Sequence, residues 1–94
     1  MNTEPKISVE ENGTQRWYLN GKLHRTDAPA EIYPNGSQYW FLNGVVHRTD
    51  GPAVIFPDGT QRWWLNGKRY DFSDWLAALD ADDKTKTLLT LKWS

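Results

Sequence analysis

The chain has 94 residues, of which 24% are charged, and its formal net charge at pH 7 is −1. This length suffices for one domain with a modest core, and the balanced charge gives no general attraction to nucleic acid or to an anionic membrane. Cysteine is absent, which excludes disulfides, a thiolate nucleophile and a cysteine-based zinc site. No apolar run approaches the roughly 20 residues of a spanning helix and no signal-peptide core occurs, so we expect a soluble cytoplasmic protein without membrane contact.

The sequence repeats itself with a period of 23 residues. Residues 12–34 and 35–57 agree at 15 of 23 positions without a gap, and residues 58–70 form a third, partial copy. Residues 1–11 align one period earlier as a degenerate half-repeat that supplies a first strand. A period of this kind is typical of one small supersecondary unit stacked on copies of itself, and such arrays usually present a binding surface.

Each copy contains two turn signals, and these predict hairpins. Asn-Gly pairs favour type I′ turns, because both central residues of that turn need a positive φ. The pairs begin at Asn12, Asn20, Asn35, Asn43 and Asn66, with Asp58-Gly59 as a variant. In the second copy the strands are then expected over 30–33, 38–42 and 45–48. If Asn35-Gly36 is a two-residue turn, Ile32 lies opposite Tyr39.

Side chains of successive residues alternate between the two faces of such a sheet. One predicted face carries Gln15, Gln38, Gln61, Trp17, Trp40, Trp63, Leu19, Leu42 and Leu65, with His24 and His47 opposite the first two tryptophans. The other carries Arg16, Tyr39, Arg62, Tyr18, Phe41 and Trp64, with Val9, Ile32 and Ile55 across from them. Both faces are rich in apolar groups, and a slip of one residue would exchange them, so the sequence does not assign inside and outside.

Residues 71–94 depart from the repeat and predict a helical cap. Asp71 is a candidate N-cap, and the apolar residues after it have helical spacing. Residues 84–92 allow either a second short helix or a strand, and both readings stay open. The predicted fold class is therefore mainly β with C-terminal α. It is a single domain over residues 1–94, an antiparallel β-meander of repeated hairpins capped by one or two short C-terminal helices.

One motif in the copies resembles a known family. The pattern Trp-x-x-Asn-Gly-x-x-His-Arg-x-Asp-Gly-Pro-Ala is complete over residues 40–53, and the first copy differs only by Ala28 in place of glycine. This motif is similar to the MORN-like variant repeat of bacteriophage and large DNA virus proteins. The resemblance implies a twisted sheet of hairpins, a viral or prophage origin, and a role as scaffold or binding surface. It implies no reaction, because a fold does not fix a function.

The doubled His-Arg-x-Asp segment is the main candidate for chemistry. Its histidines and aspartates are His24, Asp27, His47 and Asp50. A metal between the copies is one interpretation. We favour a structural role, with the aspartates capping the loops and Arg25 and Arg48 pairing with them across units. We predict no metal and no cofactor. We also predict no enzymatic activity, since the copies are near-identical and no nucleophile–base pattern or phosphate loop occurs.

The leading hypothesis is a protein-binding module. Its predicted partner-binding residues are Arg16, Tyr18, Tyr39, Phe41, Arg62 and Trp64. Aromatic and arginine side chains dominate interface energetics, and exposing so many would otherwise be a liability. Together with the resemblance and the small size, they indicate a phage-type protein that binds and inhibits a bacterial host protein. The expected target class is a component of antiviral defence, such as a CRISPR effector.

Two other functions stay open. The array could be a structural or assembly protein that self-associates through open sheet edges, and we expect a monomer or a weak homo-oligomer. Arginine interleaved with aromatic residues also suits single-stranded nucleic acid, but the near-neutral charge disfavours phosphate binding. The acidic C-terminal segment offers a second contact surface, although solvated helix caps explain its aspartates better.

Overall fold

A computed structural model describes residues 4–94. The first three residues of the predicted half-repeat lie outside this range. The described residues form ten short strands followed by two helices, which confirms a mainly β fold with C-terminal α. The elements are β1 (Lys6–Val9), β2 (Gln15–Leu19), β3 (Lys22–Leu23), β4 (Glu31–Ile32), β5 (Gln38–Tyr39), β6 (Phe41–Leu42), β7 (Val45–Val46), β8 (Val54–Ile55), β9 (Gln61–Leu65), β10 (Lys68–Tyr70), α1 (Phe72–Ala78) and α2 (Asp83–Trp93).

All strand pairs of the described chain are antiparallel, as the meander prediction requires. The main sheet has the order β1-β2-β4-β5-β8-β9-β10, with β3 also paired to β2, and β6 and β7 form a separate hairpin. The predicted strand over 38–42 is thus interrupted at Trp40. The backbone N–H of Trp40 still donates to the carbonyl of Ala53 at 2.7 Å, so the two segments of the second copy stay hydrogen-bonded across the interruption.

The two turn signals of each copy fold differently. At Asn20, Asn43 and Asn66 the asparagine has a φ of 50–53° and the next glycine is also positive, as the type I′ prediction requires. The prediction of a two-residue turn at Asn35-Gly36 is wrong. Here only Gly36 has positive φ, and the N–H of Tyr33 donates to the carbonyl of Ser37 at 3.0 Å. The loop therefore contains three residues, 34–36, and the Asn35 side chain accepts from the Ser37 N–H at 2.9 Å.

The longer loop shifts the pairing by one residue. Ile32 pairs with Gln38 and Glu31 pairs with Tyr39, so the predicted pairing of Ile32 with Tyr39 is wrong. Val9, Ile32 and Ile55 consequently lie across from the glutamines, on the tryptophan face. Their expected place beside the arginines is taken by Glu31 and Val54. The third loop residue, which precedes Asn-Gly in every copy, is the physical cause.

Successive copies are joined through the histidines. The Nδ1 atom of His24 accepts from the backbone N–H of Asn43 at 3.0 Å, and His47 accepts from Asn66 at 2.9 Å. Each histidine therefore reaches the type I′ turn of the following copy. Tyr70 occupies the equivalent position in the third copy, after which the chain turns into α1. The histidines are explained by repeat stacking.

The two helices cover the tryptophan face of the third copy. Trp63 and Leu65 of β9 are buried together with Trp75, Leu79 and Leu89 of the helical segment. The ring centroid of Trp63 lies 4.6 Å from that of Trp75. Trp17 and Trp40, the equivalents of Trp63 in the earlier copies, are only partly buried. The main apolar core thus lies at the C-terminal end of the array.

Aspartates begin both helices. The side chain of Asp71 accepts from the N–H of Asp74 at 2.9 Å, and that of Asp82 accepts from the N–H of Thr85 at 2.8 Å. Residues 84–92 are helical, which decides between the two readings of the sequence. Two of the acidic residues considered as a contact surface are therefore N-caps. None of the helices in residues 4–94 is long and apolar enough to span a membrane.

The Asp82 cap predicts an acid-sensitive second helix. Hydrogen bonds from the side chain and the backbone of Thr85 lower the pKa of Asp82 below its ordinary value of 3.8. A lowered folded-state pKa means that this stabilisation is complete above the unfolded pKa and is lost as the pH falls through the folded pKa. We therefore expect α2 to fray as the pH falls below 3.8, the ordinary pKa of an aspartate, and through the lower folded-state pKa of Asp82.

Circular dichroism between about pH 6 and pH 2 can measure this fraying. Asp82→Asn keeps an oxygen acceptor at the N-cap but does not titrate, so the acid loss of helical signal should shift or shrink in this variant. Asp83→Asn is the matched control, because Asp83 is the first residue of the helix and not its cap. Equal acid profiles for Asp82→Asn and the unmodified protein would contradict the prediction.

Candidate partner-binding surface

Five side chains form a continuous row across the main sheet, which we call the aromatic row: Arg16, Tyr33, Tyr39, Phe56 and Arg62. Tyr33 and Tyr39 meet edge to face with ring centroids 5.5 Å apart, and Tyr39 and Phe56 do so at 6.3 Å. The guanidinium groups close both ends, each 5.8 Å from the centroid of the nearest ring. Edge-to-face contacts and cation–π contacts both favour this order of residues.

The repeat itself produces the row. Tyr33 and Phe56 occupy the same position one period apart, directly before the three-residue loops. Tyr39 comes from β5, which lies between β4 and β8 in the sheet. Because side chains alternate along each strand, Tyr33 shares the face of Glu31, and Glu31 is paired with Tyr39. Loop residues and strand residues therefore interleave.

A buried carboxylate anchors one end of the row. Glu31 is 7% exposed, and it accepts from Arg16 Nε at 2.8 Å and from the Tyr33 hydroxyl at 2.8 Å. Glu10 also forms an ion pair with Arg16. The hydrogen bond that Arg16 donates to Glu31 is the main cause that raises the pKa of Arg16. Burial, followed by the hydrogen bond to Glu31, raises the pKa of Tyr33. These contacts hold the arginine and the tyrosine in fixed positions.

The other end of the row is not closed by an ion pair. In residues 4–94, Arg62 has no carboxylate within 4.0 Å of its guanidinium, in contrast to Arg16, Arg25 and Arg48. Its guanidinium lies over the ring of Phe56, and its charge is a minor cause of the lowered pKa of Asp58. The row therefore has one neutralised end at Arg16 and one cationic end at Arg62.

Three of the six predicted partner-binding residues, Arg16, Tyr39 and Arg62, lie together in the row. The other three, Tyr18, Phe41 and Trp64, lie two residues further along their strands. Within residues 4–94 no ring contact joins these three to the row. Phe41 belongs to the separate β6–β7 hairpin, where it pairs with Val46. The structure thus brings together half of the predicted set.

None of the six predicted residues is buried. Tyr18 is 36% exposed, and the other five are half-buried. Trp64 carries a buried Nε1–H that lacks an acceptor among the described residues. The helices cover the opposite face, over Trp63 and Leu65. The face of the aromatic row is therefore the face that the helical cap leaves free.

Sequence reasoning missed Tyr33, Phe56 and Glu31. With a two-residue turn, Tyr33 would face Gln38 and Glu31 would face Trp40, on the wrong side of the sheet. The signal that would have found them is the third loop residue before each Asn-Gly, proline in two copies and Glu11 in the half-repeat. A three-residue loop with glycine at its last position places these residues beside Tyr39.

The His-Arg-x-Asp segments have structural contacts. Arg25 lies 3.9 Å from the centroid of the Trp17 ring, and Arg48 lies 3.8 Å from that of Trp40. Arg48 also donates to Asp50 at 2.7 Å and to the carbonyl of Pro52 at 2.9 Å. The prediction that the arginines pair with aspartates across units is wrong, because each pair lies within one copy, two residues apart.

The prediction that the aspartates cap these loops is wrong. In residues 4–94 the proline carbonyls accept from the arginines, so the arginines close the loops. The histidine Nδ1 atoms are occupied by the backbone bonds between copies. Among the described residues no group of three or more histidine, aspartate or glutamate side chains is placed to hold a metal ion.

These observations define a small antiparallel β protein of stacked hairpins, closed at one end by two helices, with an arginine-bounded aromatic row on its free face. No protein-family model matches the chain. No curated protein and no solved structure matches it either.

Proposed function

We propose that this chain is a non-enzymatic protein-binding module of phage type that binds and inhibits a bacterial host protein. The observation that carries the proposal is the aromatic row, which lies on the face opposite the helical cap. The target class that we propose is a component of antiviral defence, such as a CRISPR effector, acting in the bacterial cytoplasm. This finer step rests on the similarity of residues 40–53 to MORN-like repeats of phage proteins.

The chemistry of the row suits a protein partner. Tyrosine and arginine are enriched among residues that dominate binding energy. The mutual contacts of Tyr33, Tyr39 and Phe56 fix their rings before binding, so association orders few side chains. A partner that covers the row can therefore gain burial of aromatic surface at a low entropic cost.

The charge of the row favours protein over nucleic acid. Arg16 is paired with Glu31 and Glu10, so its charge is balanced locally. Arg62 is then the one cation of the row without an ion pair in the described residues, and Asp58 feels its charge only at longer range. Phosphate binding draws on several uncompensated cations, whereas a single half-buried arginine without an ion pair suits one carboxylate of a protein partner.

Substituting Arg62 tests the proposal with little structural cost, because this side chain makes no described ion pair. We expect Arg62→Ala to stay folded and to lose about 30-fold in affinity for the host partner, the loss typical of a hot spot. The partner is first isolated from a bacterial lysate with the unmodified chain and identified by mass spectrometry. Affinity and inhibition of that protein's activity are then measured by calorimetry and by its own assay.

Lys84→Ala is the matched control, because it removes one exposed cation from the first turn of α2, away from the row. It should bind and inhibit like the unmodified chain. Equal affinity of the unmodified chain, Arg62→Ala and a folded Tyr39→Ala variant would overturn the proposal. Binding without inhibition would leave a binding module and remove the inhibitor part of it.

A further inference from the structure

Strand β1 leaves one edge of the main sheet open. It is the first strand in the sheet order and, among residues 4–94, pairs on one side only, with β2. All four of its residues are exposed. The N–H of Glu10, which continues the strand, donates to the carbonyl of Thr14 at 2.9 Å. Because antiparallel hydrogen bonding alternates, the even-numbered residues face β2, and Ile7 and Val9 direct their N–H and C=O groups outward.

The sequence along this edge is complementary to itself. Residues 6–10 read Lys-Ile-Ser-Val-Glu. In an antiparallel pair of two such strands centred on Ser8, Lys6 lies opposite Glu10 of a second copy, and Ile7 lies opposite Val9. Each pairing occurs twice because of the two-fold symmetry. Opposite charges and β-branched residues directly across an antiparallel pair both stabilise it.

We propose that β1 binds β1 of a second copy of this chain, forming a symmetric dimer with one continuous antiparallel sheet. The outward N–H and C=O groups of Ile7 and Val9 supply the intermolecular hydrogen bonds, two for each Ile7–Val9 pair. Ser8 lies opposite its own copy at the centre, where its backbone groups already face β2. The proposal does not depend on the host partner, since no residue of β1 belongs to the aromatic row, although Glu10 after the strand also forms an ion pair with Arg16 of the row.

The side chains next to this edge support the register. Ile7 and Val9 are 52% and 62% exposed, and both lie on the face of Trp17, with which Ile7 is paired. In the dimer the two Ile7 and two Val9 side chains lie next to each other and form one apolar strip. Pro5 has no N–H to donate, so the intermolecular ladder ends at Lys6 and Glu10. Residues 6–10, whose sequence is complementary to itself, are therefore also the part of the strand that can pair.

A charge exchange tests the register. We expect the unmodified chain to show a concentration-dependent dimer by light scattering after size-exclusion chromatography. Lys6→Glu and Glu10→Lys should each be monomeric at concentrations where the unmodified chain dimerises, because each places like charges opposite each other twice. Glu10→Lys also removes the ion pair with Arg16, so Lys6→Glu, which leaves that pair intact, is the cleaner single variant. An equimolar mixture of the two variants should dimerise again, since each chain then meets its opposite. Glu11→Lys, the same charge change one residue beyond residues 6–10, should retain the dimer.

A cysteine at the centre gives an independent readout of geometry. The chain has no cysteine, so Ser8→Cys introduces a single thiol. Paired at the symmetry axis, the two Cα atoms would lie about 4.5 Å apart, within disulfide reach. Lys6→Cys would place its thiols four residues apart along the strand, about 13 Å at the usual rise of a strand.

Oxidation should therefore give a covalent dimer for Ser8→Cys much faster than for Lys6→Cys, with the fold of both checked by circular dichroism. A monomeric unmodified chain at millimolar concentration would overturn the proposal. So would a dimer that survives both single charge reversals and cross-links equally through the two cysteine positions, because that dimer would use another surface.

Discussion

Replacing Trp75 with alanine should destabilise the protein by about 3–5 kcal/mol, the usual range for truncating a buried aromatic side chain. Trp75 is fully buried, its ring contacts those of Trp63 and Phe72, and its Nε1–H donates to the carbonyl of Arg48 at 3.1 Å. A domain of this size has only about 5–14 kcal/mol of stability in total. The substitution therefore removes a large part of it.

Urea unfolding followed by circular dichroism measures this loss without relying on tryptophan fluorescence. Trp75→Phe keeps an aromatic ring but loses the hydrogen bond to Arg48, so its cost should be smaller than that of Trp75→Ala. Leu91→Ala is the surface control, because Leu91 is 76% exposed, and it should change the free energy of unfolding by less than about 0.5 kcal/mol. A Trp75→Ala variant as stable as Leu91→Ala would show that the helices do not stabilise the array.

Gly51→Ala should destabilise the protein by about 1–3 kcal/mol, because it overpacks a closed contact. A Cβ atom at Gly51 would lie 2.8 Å from Arg48 Cζ and 2.8 Å from Trp93 Cζ2. Neither neighbour is free to move, since Arg48 is held by Asp50, and the Trp93 Nε1–H donates to the carbonyl of Asp50 at 3.1 Å. The backbone is not the obstacle, because Gly51 does not have a positive φ.

The first copy supplies a natural comparison. Ala28 occupies the equivalent position, and the Arg25 side chain beside it is 25% exposed, against 13% for Arg48. Trp93 of α2 packs against Arg48 and the loop that follows it, and this contact accounts for the lower exposure of Arg48. We expect Gly51→Ala to cost less in a Trp93→Ala background, as thermal unfolding of the double-mutant cycle would show. Equal costs in both backgrounds would mean that Trp93 does not require the glycine.

The turns show how far local sequence determines this fold. Asn20, Asn43 and Asn66 adopt the left-handed conformation that their Asn-Gly pairs predict, so the outer hairpins follow from the sequence. Asn35 precedes a glycine in the same way, yet its loop contains one more residue. Because the half-repeat has Glu11 in place of proline and a loop of the same length, long-range strand pairing, which an inspection of dipeptides does not capture, adds the third loop residue. That single residue decides which side chains share a face.

In the helical cap and in the aromatic row, too, some parts follow from local sequence and others depend on tertiary contacts. Asp71 and the helical spacing that follows it are local, so α1 was predictable, whereas Leu89, Leu91 and Trp93 fit a strand as well as a helix. The hydrogen bond from Trp93 to the carbonyl of Asp50 favours the helix, and this contact is between residues far apart in the sequence. The aromatic row likewise depends on register across strands. Its strand residues were predictable from the repeat, and its loop residues were not.

We propose that the aromatic row, and not the helical cap, contacts the partner protein. Site-specific photo-cross-linking tests it most directly, with a benzoylphenylalanine at Phe56 in one variant and at Leu88 in another. Phe56 lies in the row, and Leu88 is 56% exposed on α2. Irradiation in a bacterial lysate should give one adduct with the inhibited host protein from position 56 and none from position 88. Adducts with that protein from position 88 alone, or equally from both, would contradict the account.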